Sequence, residues 1–276
     1  MQMNQQHIEQ LADNGIFYRI YGEHNPGSPL ALIMGYAGCM FAWPLQFIER
    51  LAQHSKVIIF DNRGTGRSEP LRDGVDLRIS HFAEDLADLL TSLGFERAQI
   101  FGYSLGGCVA LEFAHLFPER VEALILQSTT GGGALYTSSD QEVKDRLANP
   151  RGSNYDEMLF DFFDLCLSPV SLEQNRGLLN SICANARPYP TSPRVMLPQL
   201  MAIRHFDASG FVGDIKHKTL LFHGQNDRIL KVENGQALAK SLPNSEHVFF
   251  DDCGHCPHIE YETAVAERIQ AFLAVN

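Results

Sequence analysis

Apolar and polar positions along this chain fall into two regimes. Residues 15–21, Gly-Ile-Phe-Tyr-Arg-Ile-Tyr, alternate in the period of a half-buried antiparallel strand. Residues 30–34 and 57–60 are apolar throughout and predict central strands covered on both faces. Short apolar runs at 98–101, 121–126, 218–222 and 246–250 predict four more strands. Helical spacing lies between them: 44–53, with Leu45, Ile48, Leu51 and Ala52 on one side and a proline in the first turn, then 82–90, 108–117, 232–242 and 261–273. Ser80 is the expected N-cap of the second helix and Gly94 its stop. Strands alternating with helices predict an α/β fold, a mostly parallel sheet with helices on both faces.

The alternation breaks at Ser128-Thr129-Thr130-Gly131-Gly132-Gly133 and resumes near residue 218. The stretch between carries only helical pieces, at 156–167, 171–185 and 193–206, the first rich in aromatics. The expected organisation is a core of residues 1–130 and 211–276 with a helical lid, 131–210, inserted between two strands of the sheet.

Composition narrows the function. A net charge of −11 over 276 residues argues against nucleic-acid binding and against adhesion to anionic membranes. No apolar run approaches the ~18 residues of a membrane span, and the polar first ten residues do not read as a signal peptide. A cytoplasmic location is expected, and the six cysteines read as reduced thiols.

The chemistry centres on Gly102-Tyr103-Ser104-Leu105-Gly106, a Gly-x-Ser-x-Gly pentapeptide between a strand and a helix. A serine hydroxyl is a weak nucleophile and needs a histidine base, itself oriented by a carboxylate. In a parallel sheet these must stand beyond the C-terminal ends of strands. Asp227 follows the strand at 218–222, whereas the loop after Leu126 offers only Gln127-Ser128. His255 follows the strand at 246–250 and a glycine. His258 competes for the same role but sits at a helix start, where the macrodipole disfavours an imidazolium. His223 reads as a brace for its own loop. Asp61 to Ser68 lacks the third glycine and the Lys-Ser/Thr of nucleotide loops and reads as a tight turn with local Asp–Arg pairing. Cys253-x-x-Cys256 has no second pair with which to form a zinc site.

The order Ser104, Asp227, His255, with Met34-Gly35-Tyr36-Ala37-Gly38, Asp61 to Ser68 and His223-Gly224-Gln225-Asn226-Asp227, resembles the α/β-hydrolase superfamily over essentially the full length. The resemblance implies an eight-stranded sheet, with the lid following the sixth strand. It also implies an oxyanion hole from the N–H groups of Tyr36 and Leu105. Met34 stands where the family usually has histidine. The branch it looks most like is the small lidded carboxylesterases, methyl esterases and enol-lactonases. The expected substrate is a small-molecule ester with an apolar acyl part, from Phe160, Phe162, Phe163, Leu178, Leu179 and Met196 of the lid. The same triad also fits a thioester, a lactone or the carbon–carbon bond of a diketone, and a ligand receptor is the alternative from another class. No metal or organic cofactor is called for. Arg176, Arg187, Arg194 and Arg204 would suit an acidic carrier protein or a substrate carboxylate but read as solvated lid surface.

Overall fold

The computed structural model describes residues 8–72 and 74–274. The stretch read above for a leader lies, through residue 7, outside the described residues. Eight strands form one sheet: β1 (Ile8–Leu11), β2 (Phe17–Tyr21), β3 (Leu30–Ile33), β4 (Val57–Phe60), β5 (Ala98–Tyr103), β6 (Val121–Gln127), β7 (Thr219–Gly224) and β8 (Ser245–Phe250). Their order is β1-β2-β4-β3-β5-β6-β7-β8. β2 runs antiparallel to both β1 and β4, and every other pairing is parallel.

Period-two alternation splits each central strand between two cores. Ala31, Ile33, Ile58 and Ile100 face α2 (Ile79–Ser92) and α3 (Leu105–Leu116), whereas Leu30, Leu32, Ile59 and Phe101 face α1 (Leu45–Leu51) and α11 (Glu262–Ala274). Both faces are dry, which is why 30–33 and 57–60 carry no polar residue. α9 (Val232–Ser241) covers β7 and β8. Between β6 and β7 the chain makes α4 (Gln141–Ala148), α5 (Tyr155–Cys166), α6 (Pro169–Gln174), α7 (Arg176–Ala186) and α8 (Pro193–His205). A last short helix, α10 (Pro257–Glu260), precedes α11.

Local departures from the sequence reading have physical causes. β1 carries mostly exposed side chains, so its pattern shows no buried face; Glu9 instead pairs with Arg19 and Arg67 across the edge. α2 starts one residue before Ser80, with Arg78 at the N-cap position. The piece read as 171–185 is two helices, broken at Asn175, whose side chain bonds back to Ser171 O.

At the β5–α3 junction the backbones almost touch. A methyl group on Gly106 would stand 2.1 Å from Ile33 O, and one on Gly102 2.2 Å from Gly106 O. Gly106→Ala should therefore lower stability by about 3 kcal/mol or more in urea unfolding. Gly213→Ala, where a methyl group meets open space, should change it by less than about 1 kcal/mol.

Candidate active site

Parallel strands deliver their C-terminal loops to one edge of the sheet. β3 and β5 are neighbours, but the chain leaves them toward opposite sides, β3 to β4 and β5 to β6. The loop 35–38 and the β5–α3 turn meet where the strand order reverses, the position at which a sheet of this kind places its ligand crevice.

Ser104 sits in that turn at φ +54°, ψ −116°, a backbone conformation that an L-residue holds only when its surroundings impose it. Its N–H donates to Gln127 O (2.9 Å), while its carbonyl accepts from Gly107 N–H (2.9 Å) and the Thr129 hydroxyl (2.7 Å). The serine peptide is thus tied to β6 as well as to its own helix.

The structure brings Ser104, His255 and Asp227 together in one buried chain of hydrogen bonds. His255 Nε2 lies 3.0 Å from Ser104 Oγ, and His255 Nδ1 lies 2.7 Å from Asp227 Oδ2. Asp227 is saturated with donors: Oδ1 accepts from the N–H groups of Ile229 and Leu230, both at 2.9 Å, and His223 Nε2 stands 3.2 Å from Oδ2. Burial pushes the Asp227 carboxyl up, but the charge of His255 and the hydrogen bonds of His223 and His255 outweigh it and hold the group at about 2. A carboxylate ionised at neutral pH fixes a proton on His255 Nδ1 and leaves the Nε2 lone pair facing the serine. His223 Nε2 also donates to Leu230 O at 2.7 Å, so it braces its loop as its position suggested.

Leu105 follows the serine directly, and Tyr36 follows Gly35 in the loop after β3. A methyl group on Gly35 would stand 3.2 Å from Ser104 Cβ, so the 35–38 loop lies against the serine. Among the described residues neither the Tyr36 nor the Leu105 N–H has an acceptor in the chain. Leu105 opens α3, where a free N–H favours negative charge.

His258 stands apart from the serine. It is buried in ring contact with Tyr103 (4.7 Å) and Trp43 (5.0 Å), and Gln127 Nε2 donates to its Nδ1 at 2.5 Å. Burial, then the charge of His255, hold it down at about 3, so it is neutral. The Asp61 turn differs from the expected Asp–Arg pairing: Asp61 accepts from the backbone N–H groups of Met40 (2.6 Å) and Arg67 (2.9 Å), while Arg63 reaches Asp85. Burial lifts Asp61 to about 6 despite those donors.

Other residues around the site escape sequence reasoning. Cys166 O accepts from His255 N–H at 2.5 Å, and the Glu260 carboxylate accepts from Gly254 N–H (2.7 Å) and Ser168 N–H (3.0 Å). Gln199 Oε1 accepts from Ala37 N–H at 2.9 Å, and the Thr191 hydroxyl donates to Ala37 O at 2.8 Å. For Gln199 a signal existed: with Val195 and Ala202 it occupies an apolar stripe at helical spacing. Cys253 and Cys256 are free and buried, against Glu260 and the Tyr103 hydroxyl respectively. Arg176, Arg187, Arg194 and Arg204 are exposed; Arg187 pairs with Asp156 and Arg176 lies over the Phe160 ring. Among the described residues no helix is long and apolar enough to cross a membrane.

Comparison with known proteins places this geometry in context. The sequence model of the alpha/beta hydrolase fold matches residues 28–261. A putative carbamate hydrolase, RutD, of Pseudomonas savastanoi is 27% identical over 245 residues, 88% of this chain and 93% of its own. A 2-hydroxymuconate semialdehyde hydrolase of Pseudomonas putida is 30% identical over 239 residues, 82% of this chain and 79% of its own. The crystal structure of the enol-lactonase from Burkholderia xenovorans superposes with a TM-score of 0.81, covering 96% of this chain and 99% of that one. At 21% identity that last likeness speaks for the fold alone.

The depressed Asp227 carboxyl has a stability consequence with a definite sign. The folded state binds its proton less readily than the unfolded chain, so the stabilisation is complete above the ordinary aspartate value and is lost as pH falls toward about 2. In urea titrations between pH 5 and pH 2, the wild-type chain should lose about 2 kcal/mol more than Asp227→Asn.

Proposed function

The chain belongs to the α/β-hydrolase family, and from that premise we propose that this hydrolase works through Ser104, His255 and Asp227 on carboxylic esters. The observation carrying this reading is the unbroken buried relay, 3.0 Å from Ser104 Oγ to His255 Nε2 and 2.7 Å from His255 Nδ1 to Asp227 Oδ2. Ser104 Oγ attacks the ester carbonyl carbon as its proton passes to His255 Nε2. Asp227 keeps the ring oriented and stabilises the imidazolium. The N–H groups of Tyr36 and Leu105 receive the oxyanion of the tetrahedral intermediate. Collapse breaks the bond to the alcohol, which leaves with the proton from His255. A water molecule then attacks the acyl-enzyme, giving its proton to His255, and the second collapse returns the proton to Ser104 as the acid departs.

Helices α4 to α8 act in this reading as a lid over the crevice, set on the two cores. Phe163 and Leu179 are buried, and Phe160, Phe162 and Leu178 pack half-buried beside them, an apolar surround suited to an acyl chain. A second reading, cleavage of a carbamate or of a carbon–carbon bond in an unsaturated oxo acid, is favoured by the names of the two sequence relatives. An oxo acid would bring a carboxylate that needs a cation once it is desolvated. Among the described residues Arg146 is the one buried arginine, held by Asp161 and Asp164, and no lysine is buried. That balance favours an uncharged substrate over an oxo acid.

A fluorophosphonate should add once per chain, on Ser104, with no adduct on His255→Ala. Turnover of p-nitrophenyl acetate and butyrate should fall by about 10⁴-fold or more in Ser104→Ala. Ester kcat/KM should exceed that for a carbamate or a dienoic oxo acid by at least about tenfold; the reverse order would favour the second reading. A folded protein that takes up no fluorophosphonate and turns over no ester would overturn the proposal.

A further inference from the structure

Among the described residues three that are not glycine have positive φ: Ala37, Ser104 and Ser128. Ser104 carries the hydroxyl, and Ser128 borders Thr129, which caps the Ser104 carbonyl. Ala37, at φ +57°, is the remaining member. It lies in a turn closed by Gly38 N–H to Gly35 O at 3.3 Å, one residue beyond Tyr36. The left-handed region costs an alanine about 1–2 kcal/mol, so something must hold it there.

Both polar groups of Ala37 are held by the helical insertion. Gln199 Oε1, on α8, accepts its N–H at 2.9 Å, and the Thr191 hydroxyl, just before α8, donates to its carbonyl at 2.8 Å. Gln199 is 0% exposed, and among the described residues its Nε2 has no hydrogen-bond partner. Burying an unpartnered amide donor lowers stability, so a glutamine on the apolar stripe of α8 is poorly explained by packing. Its one polar contact is Ala37 N–H, next to the backbone donor assigned to the oxyanion.

We propose that Gln199, assisted by Thr191, is a positioning residue that holds Ala37 left-handed and thereby presents Tyr36 N–H to the oxyanion. The inference rests on the serine-hydrolase reading above and extends it. The insertion does more than wall the acyl pocket: it completes the geometry of the oxyanion loop. Lid and oxyanion donor are mechanically one unit, and moving α8 off the core would release the turn to relax toward negative φ.

The test compares wild type, Gln199→Leu, Thr191→Val, Ser104→Ala and the double variant Gln199→Leu/Ala37→Gly on p-nitrophenyl butyrate. Affinity for a trifluoromethyl ketone, whose hemiketal oxygen occupies the oxyanion site, is measured beside it. Gln199→Leu should lower kcat by about tenfold or more, with KM within about threefold. Ketone affinity should fall in parallel and the melting temperature should not. Glycine removes the cost of positive φ, so the double variant should recover about fivefold in kcat. A residue that only filled space would show a lowered melting temperature and no rescue by glycine. Unchanged kcat and ketone affinity in folded Gln199→Leu, with Ser104→Ala inactive, would overturn the inference and leave the ester reading standing. Persistent turnover by Ser104→Ala would remove the reading itself. Should Gln199→Leu not fold, Thr191→Val decides by the same measurements: a fall in kcat supports the clamp, and none refutes it.

Discussion

The backbone of Ser104 is the point on which the structure turns. Its left-handed conformation is affordable only because neighbouring chain comes within contact distance on every side. Gly106 lies against Ile33 O, Gly102 against Gly106 O, and Gln127 and Thr129 of the β6 edge hold the serine peptide by both ends. Those contacts require β3, β5 and β6 to be adjacent and parallel, and the sheet order makes them so. The double-faced cores then fix the strands, since one slip in register would turn Leu30 and Leu32 out of one core and Ala31 and Ile33 out of the other.

How much of this was legible depended on whether the signal was local. The central strands were readable because burial on both faces leaves unbroken apolar runs. The meeting of Ser104, Asp227 and His255 was readable because each stands in the segment after a strand, at the one edge of the sheet where parallel strands deliver their loops. β1 was invisible because an edge strand with exposed side chains has no buried face to reveal. The Asp61 turn was half legible: the carboxylate does hold the loop, but through backbone N–H groups, which every residue carries and no side-chain pattern discloses. Thr191 and Glu260 were hidden for a different reason, and Gln199 showed its place on the α8 stripe but not its partner. Gln199 and Thr191 meet Ala37 from 162 and 154 positions away, and Glu260 meets Ser168 from 92, pairs that only the finished fold brings close.

The electrostatics around the relay sort three buried acid–base groups into distinct duties. Asp227 is surrounded by donors and stays charged. His258, on the far side of Tyr103, meets aromatic rings and the Gln127 amide and stays neutral. Asp61 keeps two backbone donors and still titrates high, because burial exceeds what two N–H groups return. Sequence position put His255 and His258 three residues apart after the same strand; the environment separates them.

The three strained non-glycine residues have an implication for how this chain would respond to selection. Each withholds about 1–2 kcal/mol from folding: Ser104 in the β5–α3 turn, Ala37 in the loop after β3, and Ser128 beside Thr129, which holds the Ser104 carbonyl. A laboratory screen that rewarded heat resistance alone would be drawn toward them, since relaxing any one releases stability at once. Variants gathered that way would accumulate replacements at 37, 104 and 128 and become sturdier and less active together. On the serine-hydrolase proposal, the strain that relaxing 37 or 104 would release sits at the nucleophile and beside the oxyanion donor.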